Sequence, residues 1–140
     1  MAANTVFAKA LHIMAALAYY EGKLLNSEWL ARSIGTNPVV VRNLVRHLHS
    51  HGLVKTYVGK KGGITLGKEP SQITLLHVYQ SIDHKTLFSI PDVSSEAEEQ
   101  FSFSIHTVMN DVFNENDETV QGILAKKTVS DLAFKISKVS

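Results

Sequence analysis

The chain has 140 residues, 44% of them hydrophobic and 19% charged, so it can bury one core of ordinary size. It has no cysteine, which excludes a disulfide, a thiol nucleophile and a thiolate-ligated metal or iron–sulfur cluster. Residues 1–70 carry nine Lys and Arg against three Glu, a net charge of +6. Residues 71–140 carry five Lys against ten Asp and Glu, a net charge of −5. Contacts with nucleic-acid phosphates are therefore favoured only in the first half of the chain.

The first predicted helix runs from about Thr5 to Tyr20. It is apolar around most of its circumference, so it must be covered on more than one side. Its apolar run, Ala10–Tyr20, is far shorter than the roughly 20 residues that span a bilayer. We therefore expect a cytoplasmic protein that makes no membrane contact.

The next two predicted helices form a helix-turn-helix. Asn26 or Ser27 can cap the second helix, and Gly35 ends it. Asn37 followed by Pro38 is a strong start signal for the third helix. Apolar residues at spacings of three, four and seven predict its buried face, and the residues between them predict its outward face. The inward set is Val41, Leu44, Val45 and Leu48, and the outward set is Val39, Arg42, Asn43, Arg46 and His49.

Two short β-branched and aromatic runs follow, Val54–Val58 and Ile64–Leu66. The segment Gly59-Lys60-Lys61-Gly62-Gly63 joins them, which is typical of a hairpin. Residues 27–66 therefore predict a complete winged helix-turn-helix, with a basic wing beside an exposed helix.

The rest of the chain is predicted to be helical. Ser71 can cap a fourth helix, residues 83–94 form a connecting loop, and Ser95 with Glu98 forms a capping box that begins a long helix. The polar cluster at 114–118 should break or end that helix, and a last helix runs from about Thr119 to Ile136. The predicted fold is mainly α with a small β-hairpin. Residues 1–82 form the DNA-binding domain, 83–94 the connection and 95–140 a helical dimerisation segment.

The long helix carries an apolar stripe at helical spacing. The stripe consists of Phe101, Ile105, Val108, Met109 and Val112. It can pack onto the chain's own first helix or onto a second copy of the chain. We favour a homodimer, because one recognition helix gives a small interface, whereas two half-sites about 34 Å apart combine their affinities.

The outward face of the third helix suits a DNA major groove, which admits one α-helix. Arg42 and Arg46 can bind guanine edges or phosphates, and Asn43 can bind adenine or cytosine edges. Val39 can touch a thymine methyl group.

Other residues suit the DNA backbone. Ser27, Thr36 and Asn37 lie at helix starts, where hydroxyl, amide and free backbone N–H groups can bind phosphates. Lys60 and Lys61 at the wing tip can enter the minor groove or bind the flanking backbone.

Three segments resemble the Rrf2 family of bacterial winged-helix transcription regulators: Leu30–Val54, Gly59–Gly63 and Ile73–Tyr79. The run Thr36–Arg42 is most similar to the cysteine-free YwnA-type branch. The resemblance implies a homodimeric repressor, whose third helices and wings bind a pseudo-palindromic operator in double-stranded DNA. Several relatives hold an iron–sulfur cluster through three cysteines, and this chain has none, so we expect no cofactor.

Other functions find less support. His47 and His51 have the i,i+4 spacing of a chelating pair, but no carboxylate or cysteine accompanies them, so we expect no metal site. The sequence has no Gly-x-Ser-x-Gly, His-Glu-x-x-His or dinucleotide fingerprint, so we expect no enzyme and no catalytic residue. A winged helix that binds a protein and never DNA remains the alternative. A small-molecule or protein effector is also left open.

Overall fold

The structure is a computed structural model that describes residues 5–82 and 100–139. Its elements in chain order are α1 (Val6–Tyr19), α2 (Ser27–Ile34), α3 (Pro38–Ser50), β1 (Val54–Tyr57), β2 (Gly63–Leu66), a 3-10 turn (Pro70–Gln72), α4 (Leu75–Ser81), α5 (Gln100–Leu124) and α6 (Val129–Val139). The two strands form an antiparallel hairpin. The predicted fold class, mainly α with a small hairpin, is confirmed.

The contacts divide the chain into two units. One contains α1 to α4, the hairpin and the chain from Leu124 onward, which includes α6, and the other contains α5 up to Ile123. Thus α6 belongs structurally with the winged helix. The division into a DNA-binding part, 1–82, and a dimerisation part, 95–140, stays a functional prediction.

Helix α1 is the centre of the winged-helix unit. Ala10, Ile13 and Met14 are fully buried, because α2, α4, α6 and β2 all pack against this helix. The Phe7 ring meets the Tyr79 ring of α4 edge to face, with centroids 5.3 Å apart. A helix that is apolar nearly all round is thus covered on several sides, as its sequence predicts.

The C-terminal helix boundaries differ from the prediction. Helix α5 continues through Asn114–Glu118, and the chain leaves helical geometry after Leu124 instead. Polar residues disfavour an exposed helix only weakly. One of the cluster is also held by a hydrogen bond one turn away, because Gln121 Nε2 donates to Asp117 Oδ2 at 2.7 Å. The last helix accordingly begins at Val129, ten residues later than predicted.

Helix α4 also begins later than predicted. Its cap is Thr74, whose Oγ1 accepts from the His77 backbone N–H at 3.0 Å, while the Thr74 N–H donates to His77 Nδ1 at 3.1 Å. Ser71 instead lies in the 3-10 turn. The first turns of α4 and α6 are joined, because the Leu75 N–H donates to the Lys127 carbonyl and the Val129 N–H to the Ile73 carbonyl, both at 2.8 Å.

Two predictions fall outside the described residues: the connecting loop at 83–94 and the capping box of Ser95 and Glu98. Within residues 5–82 and 100–139, no helix has the length and apolar character needed to cross a membrane.

Candidate nucleic-acid interface

The bounds of α2 and the start of α3 are fixed by three local signals. Asn26, not Ser27, caps α2, and its Oδ1 accepts from the Trp29 N–H at 2.8 Å. Gly35 ends α2 with φ at 85°, a left-handed conformation that residues with a Cβ rarely adopt. Asn37 Oδ1 then accepts from the Val40 N–H at 3.1 Å, with Pro38 at the first helical position. These caps set the direction in which α3 leaves the turn.

The two faces of α3 are separated as predicted. The inward face is in the core, with Val41 and Leu48 fully buried. On the outward face Val39 is 64% exposed, and Arg42, Asn43 and Arg46 are exposed with it. Since residues three and four apart share one side of a helix, these outward side chains form a continuous surface.

Both outward arginines have protein partners that they can exchange. Arg42 Nη1 lies 3.9 Å from Glu28 Oε1 of α2, and these side chains are 56% and 58% exposed. Arg46 Nη2 donates to Asn43 Oδ1 one turn away. An exposed ion pair contributes about 0–1 kcal/mol. Either guanidinium can therefore leave its partner for a phosphate or a base edge at small cost.

The wing is held against the rest of the unit by backbone hydrogen bonds. The Ile64 N–H donates to the Leu25 carbonyl at 2.8 Å, and the Leu25 N–H donates to the Ile64 carbonyl at 3.1 Å. The tip needs glycine, because a Cβ at Gly62 would collide with the Tyr57 carbonyl oxygen. Lys60 and Lys61 are exposed at this tip. The wing thus presents two cations on an anchored hairpin.

A groove of about 320 Å³ lies between the start of α2, α3 and the hairpin. It brings together two predicted site residues, Ser27 and Arg42, with the backbone of Gly59 and Gly62. The remaining predicted residues lie outside its walls. These are Thr36, Asn37, Val39, Asn43 and Arg46 along the start and outward face of α3, and Lys60 and Lys61 at the wing tip.

Several residues that line this groove are not among the predicted site residues, including Asn26, Tyr57 and Val58. Tyr57 is 52% exposed and Val58 is fully exposed. The sequence pattern identifies both only as strand residues. Their signal is their place directly before the glycine-lysine tip, where a hairpin strand leaves the core and its side chains face solvent.

Helix α3 is the exposed, arginine-bearing helix of a helix-turn-helix, and it lies next to a hairpin with a lysine tip. This combination defines the winged helix-turn-helix class of transcription regulators. A family model described as "Rrf2: Iron-dependent Transcriptional regulator" matches residues 3–135. The chain belongs to this Rrf2 family of regulators.

The relatives are named as transcriptional regulators, not as enzymes. YwnA of Bacillus subtilis (strain 168), which carries the name of an HTH-type (helix-turn-helix) transcriptional regulator, is 28% identical over 130 residues, 92% of this chain and 95% of that one. Among solved structures, CymR (YrzC), the global cysteine regulator of B. subtilis, is 25% identical with a TM-score of 0.69, covering 96% of this chain and 98% of that one. A transcriptional-regulator structure from Lactobacillus plantarum is 26% identical with a TM-score of 0.77, covering 95% of this chain and 90% of that one.

The iron in the family description does not fit the donors of this chain. The sequence has no cysteine to ligate a cluster. In the part of the chain that the structure describes, no group of three or more His, Asp or Glu side chains is placed to hold a metal ion. His51 Nδ1 of the i,i+4 histidine pair instead lies 3.1 Å from the His47 carbonyl oxygen, to which it can donate.

Proposed function

We propose that the chain is a sequence-specific DNA-binding repressor that acts as a homodimer on a pseudo-palindromic operator. The observation that carries the proposal is the exposed face of α3, where Arg42, Asn43 and Arg46 lie together beside the groove that leads to the lysine wing. These are the side-chain types that bind base edges in a major groove. An operator occupied in this way would block polymerase without any added chemistry.

The proposed contacts fall into two classes. Val39, Arg42, Asn43 and Arg46 would contact bases, so each good bidentate pair should contribute about 1–3 kcal/mol of discrimination. Backbone contacts would come from residues at helix starts and at the wing tip, which position the protein and carry no sequence information. These are Ser27, Thr36, Asn37, Lys60 and Lys61.

The proposed second subunit would bind along α5. Phe101 is 72% exposed, Val108 is 55% exposed and Val112 is 48% exposed in the single chain. Ile105 is also exposed and Met109 is half-buried, so the whole predicted stripe retains solvent contact. A stripe of large apolar side chains open to water favours association with another chain. A second copy supplies an identical stripe, which is the requirement of a two-fold interface.

The proposal is tested by selecting genomic fragments with the purified protein at low salt and footprinting those retained. We expect a protected site with two half-sites about one helical turn apart. Arg42→Ala and Asn43→Ala should relax base preference at defined positions of each half-site, whereas equal weakening on all sequences would assign both residues to the DNA backbone. Failure of the folded protein to retain any fragment at low salt would refute the proposal.

The dimer is tested separately by sedimentation. Val108→Asp places a charge in the middle of the stripe and should convert the dimer to a monomer. Asn110→Asp adds the same charge at an exposed polar position of the same helix and should leave the dimer intact. A monomeric parent protein at micromolar concentration would contradict this part of the proposal.

A further inference from the structure

A second concave surface lies on the winged-helix unit, between α1, α2 and α6. It has a volume of about 710 Å³, within the range of roughly 300–1,000 Å³ typical of small-molecule sites. Its space results from small side chains on α1, because Ala8, Ala15 and Ala16 line it. Leu132 and Ile136 of α6 form the facing wall. This surface is called the α1–α2–α6 cleft below.

The chemistry of the cleft favours an aromatic ligand. At one end the rings of Tyr20 and Trp29 meet edge to face with centroids 5.5 Å apart, and Tyr19 packs on Tyr20 in the same way at 4.9 Å. All three rings line the cleft, and Leu11 adds an apolar side chain. Aromatic rings provide rigid apolar surface and prefer such edge and offset contacts with another ring.

One polar pair lies within this apolar lining. His12 Nε2 and Ser33 Oγ share a hydrogen bond of 2.8 Å, and both residues line the cleft. A serine hydroxyl has one donor and two acceptor positions, so Ser33 keeps an acceptor for a ligand hydroxyl. Among the described residues that line the cleft there is no Asp, Glu, Lys or Arg. A charged ligand would therefore find no side chain of permanent charge to offset its lost hydration.

We propose that the α1–α2–α6 cleft binds an uncharged aromatic small molecule bearing a hydroxyl group, and that its occupancy changes DNA affinity. The regulatory half of this inference rests on the proposed function. The connection is α2: Trp29 and Ser33 line the cleft, while Glu28 of the same helix contacts Arg42 on the DNA-facing surface. A ligand that prefers one placement of α2 shifts the population toward it.

Trp29 provides a direct test of binding, since it is the only tryptophan in the chain. In the ¹⁵N-labelled protein without DNA, its indole N–H gives one resonance that can be followed during titration. We expect 1-naphthol to shift this resonance saturably, whereas naphthalene-1-sulfonate, which has the same rings and a negative charge, should not. Absence of a shift with 1-naphthol at millimolar concentration, or equal shifts with both compounds, would overturn the site.

Two matched pairs of variants locate the ligand. Ala8 is an exposed residue of the cleft, so Ala8→Phe should fill it and abolish the shift, whereas Ala125→Phe, at an exposed alanine outside the cleft, should not. Ser33→Ala should weaken 1-naphthol binding about tenfold through the lost hydrogen bond. Ser137→Ala, on the exposed surface of α6, should leave it unchanged.

Sedimentation distinguishes a ligand site from a subunit interface. Ala8→Phe should leave the oligomeric state of the protein unchanged. A large change in the monomer–dimer equilibrium of Ala8→Phe, with none in Ala125→Phe, would assign the cleft to a second copy and overturn the inference.

The regulatory half is measured with the selected operator. Saturating 1-naphthol should change the DNA dissociation constant by about fivefold or more, a typical allosteric coupling, in the parent protein but not in Ala8→Phe. An unchanged constant in the naphthol-saturated protein would overturn regulation through the cleft. A protein that binds 1-naphthol but no DNA would instead refute the proposed function and leave the ligand site standing.

Discussion

The wing gives the sharpest quantitative prediction, obtained by changing Lys60 and Lys61 together to alanine. Both ammonium groups lie at the exposed tip of a hairpin that the Leu25–Ile64 hydrogen bonds hold in place. The substitutions remove two cations from each subunit without touching the core. If both side chains bind phosphates, a dimer on two half-sites loses four phosphate contacts.

The size of the effect follows from counterion release. Each phosphate contact contributes about 0.9 to the slope of log K against log salt concentration, so the slope should flatten by about 3.6. Between about 50 and 200 mM salt, the parent protein should then lose roughly a hundredfold more affinity than the variant. A single active wing lysine per subunit would give about half of this change in slope.

The assay is fluorescence anisotropy of the labelled operator at several salt concentrations. The chain offers a matched control, because Lys126 and Lys127 are also adjacent and exposed, in the segment between α5 and α6. Their double alanine variant has the same net charge as the wing variant and should retain the parent slope. If both variants flatten the slope equally, the effect comes from overall charge and not from the wing. If the wing variant keeps the parent slope, the wing lysines do not contact DNA phosphates.

Three further predictions concern the stability of the fold and the availability of the arginine face. Val41→Ala, in the fully buried face of α3, should lower the free energy of unfolding by about 2–3 kcal/mol in urea at fixed protein concentration, whereas Val39→Ala on the exposed face should change it by less than about 0.5 kcal/mol. Similar losses in the two variants would contradict the assignment of the faces. Hydrogen bonds from the backbone N–H and hydroxyl of Thr128 lower the pKa of Asp131 below its ordinary value of 3.8, so its stabilising effect is present above pH 3.8 and is lost as the pH falls through the lowered pKa. The stability difference between the parent and Asp131→Asn should therefore shrink from pH 6 to pH 3 in urea titrations, and a constant difference would refute this cause. Glu28→Gln removes the ion pair with Arg42 and should raise operator affinity up to about fivefold, measured by fluorescence anisotropy. Unchanged affinity would mean that the ion pair does not restrain the Arg42 side chain.

The helix-turn-helix could be predicted from the sequence because its signals are local. Asn37 and Pro38 determine the start of α3 within two residues, and Gly35 supplies the left-handed conformation that ends α2. The spacing of apolar residues then assigns the inward and outward faces of α3 without knowledge of their neighbours. The glycines at the wing likewise determine where the two strands turn.

Other features depend on residues that are distant in the chain. The start of α6 is fixed partly by an exchange of backbone hydrogen bonds between residues 73–75 and 127–129, which no local pattern announces. The contact of Arg42 with Glu28 joins two helices across a turn. The α1–α2–α6 cleft needs α6 to pack on α1, whereas the sequence predicts α6 as part of the dimerisation segment. Periodicity predicts which faces are apolar, but tertiary contacts decide which of those faces remain open.

Helix α2 forms part of both proposed sites, although it has only eight residues. Successive side chains on an α-helix are about 100° apart, so neighbouring residues face different surroundings. Glu28 meets Arg42 beside the groove of the proposed DNA-binding surface, while Trp29 and Ser33, one turn apart, line the cleft. Since the wing hydrogen bonds attach to Leu25, just before this helix, a displacement of α2 would act on both elements proposed to contact DNA. A ligand in the cleft could therefore act on the proposed DNA-binding surface directly through α2, because this short helix forms a wall of both proposed sites.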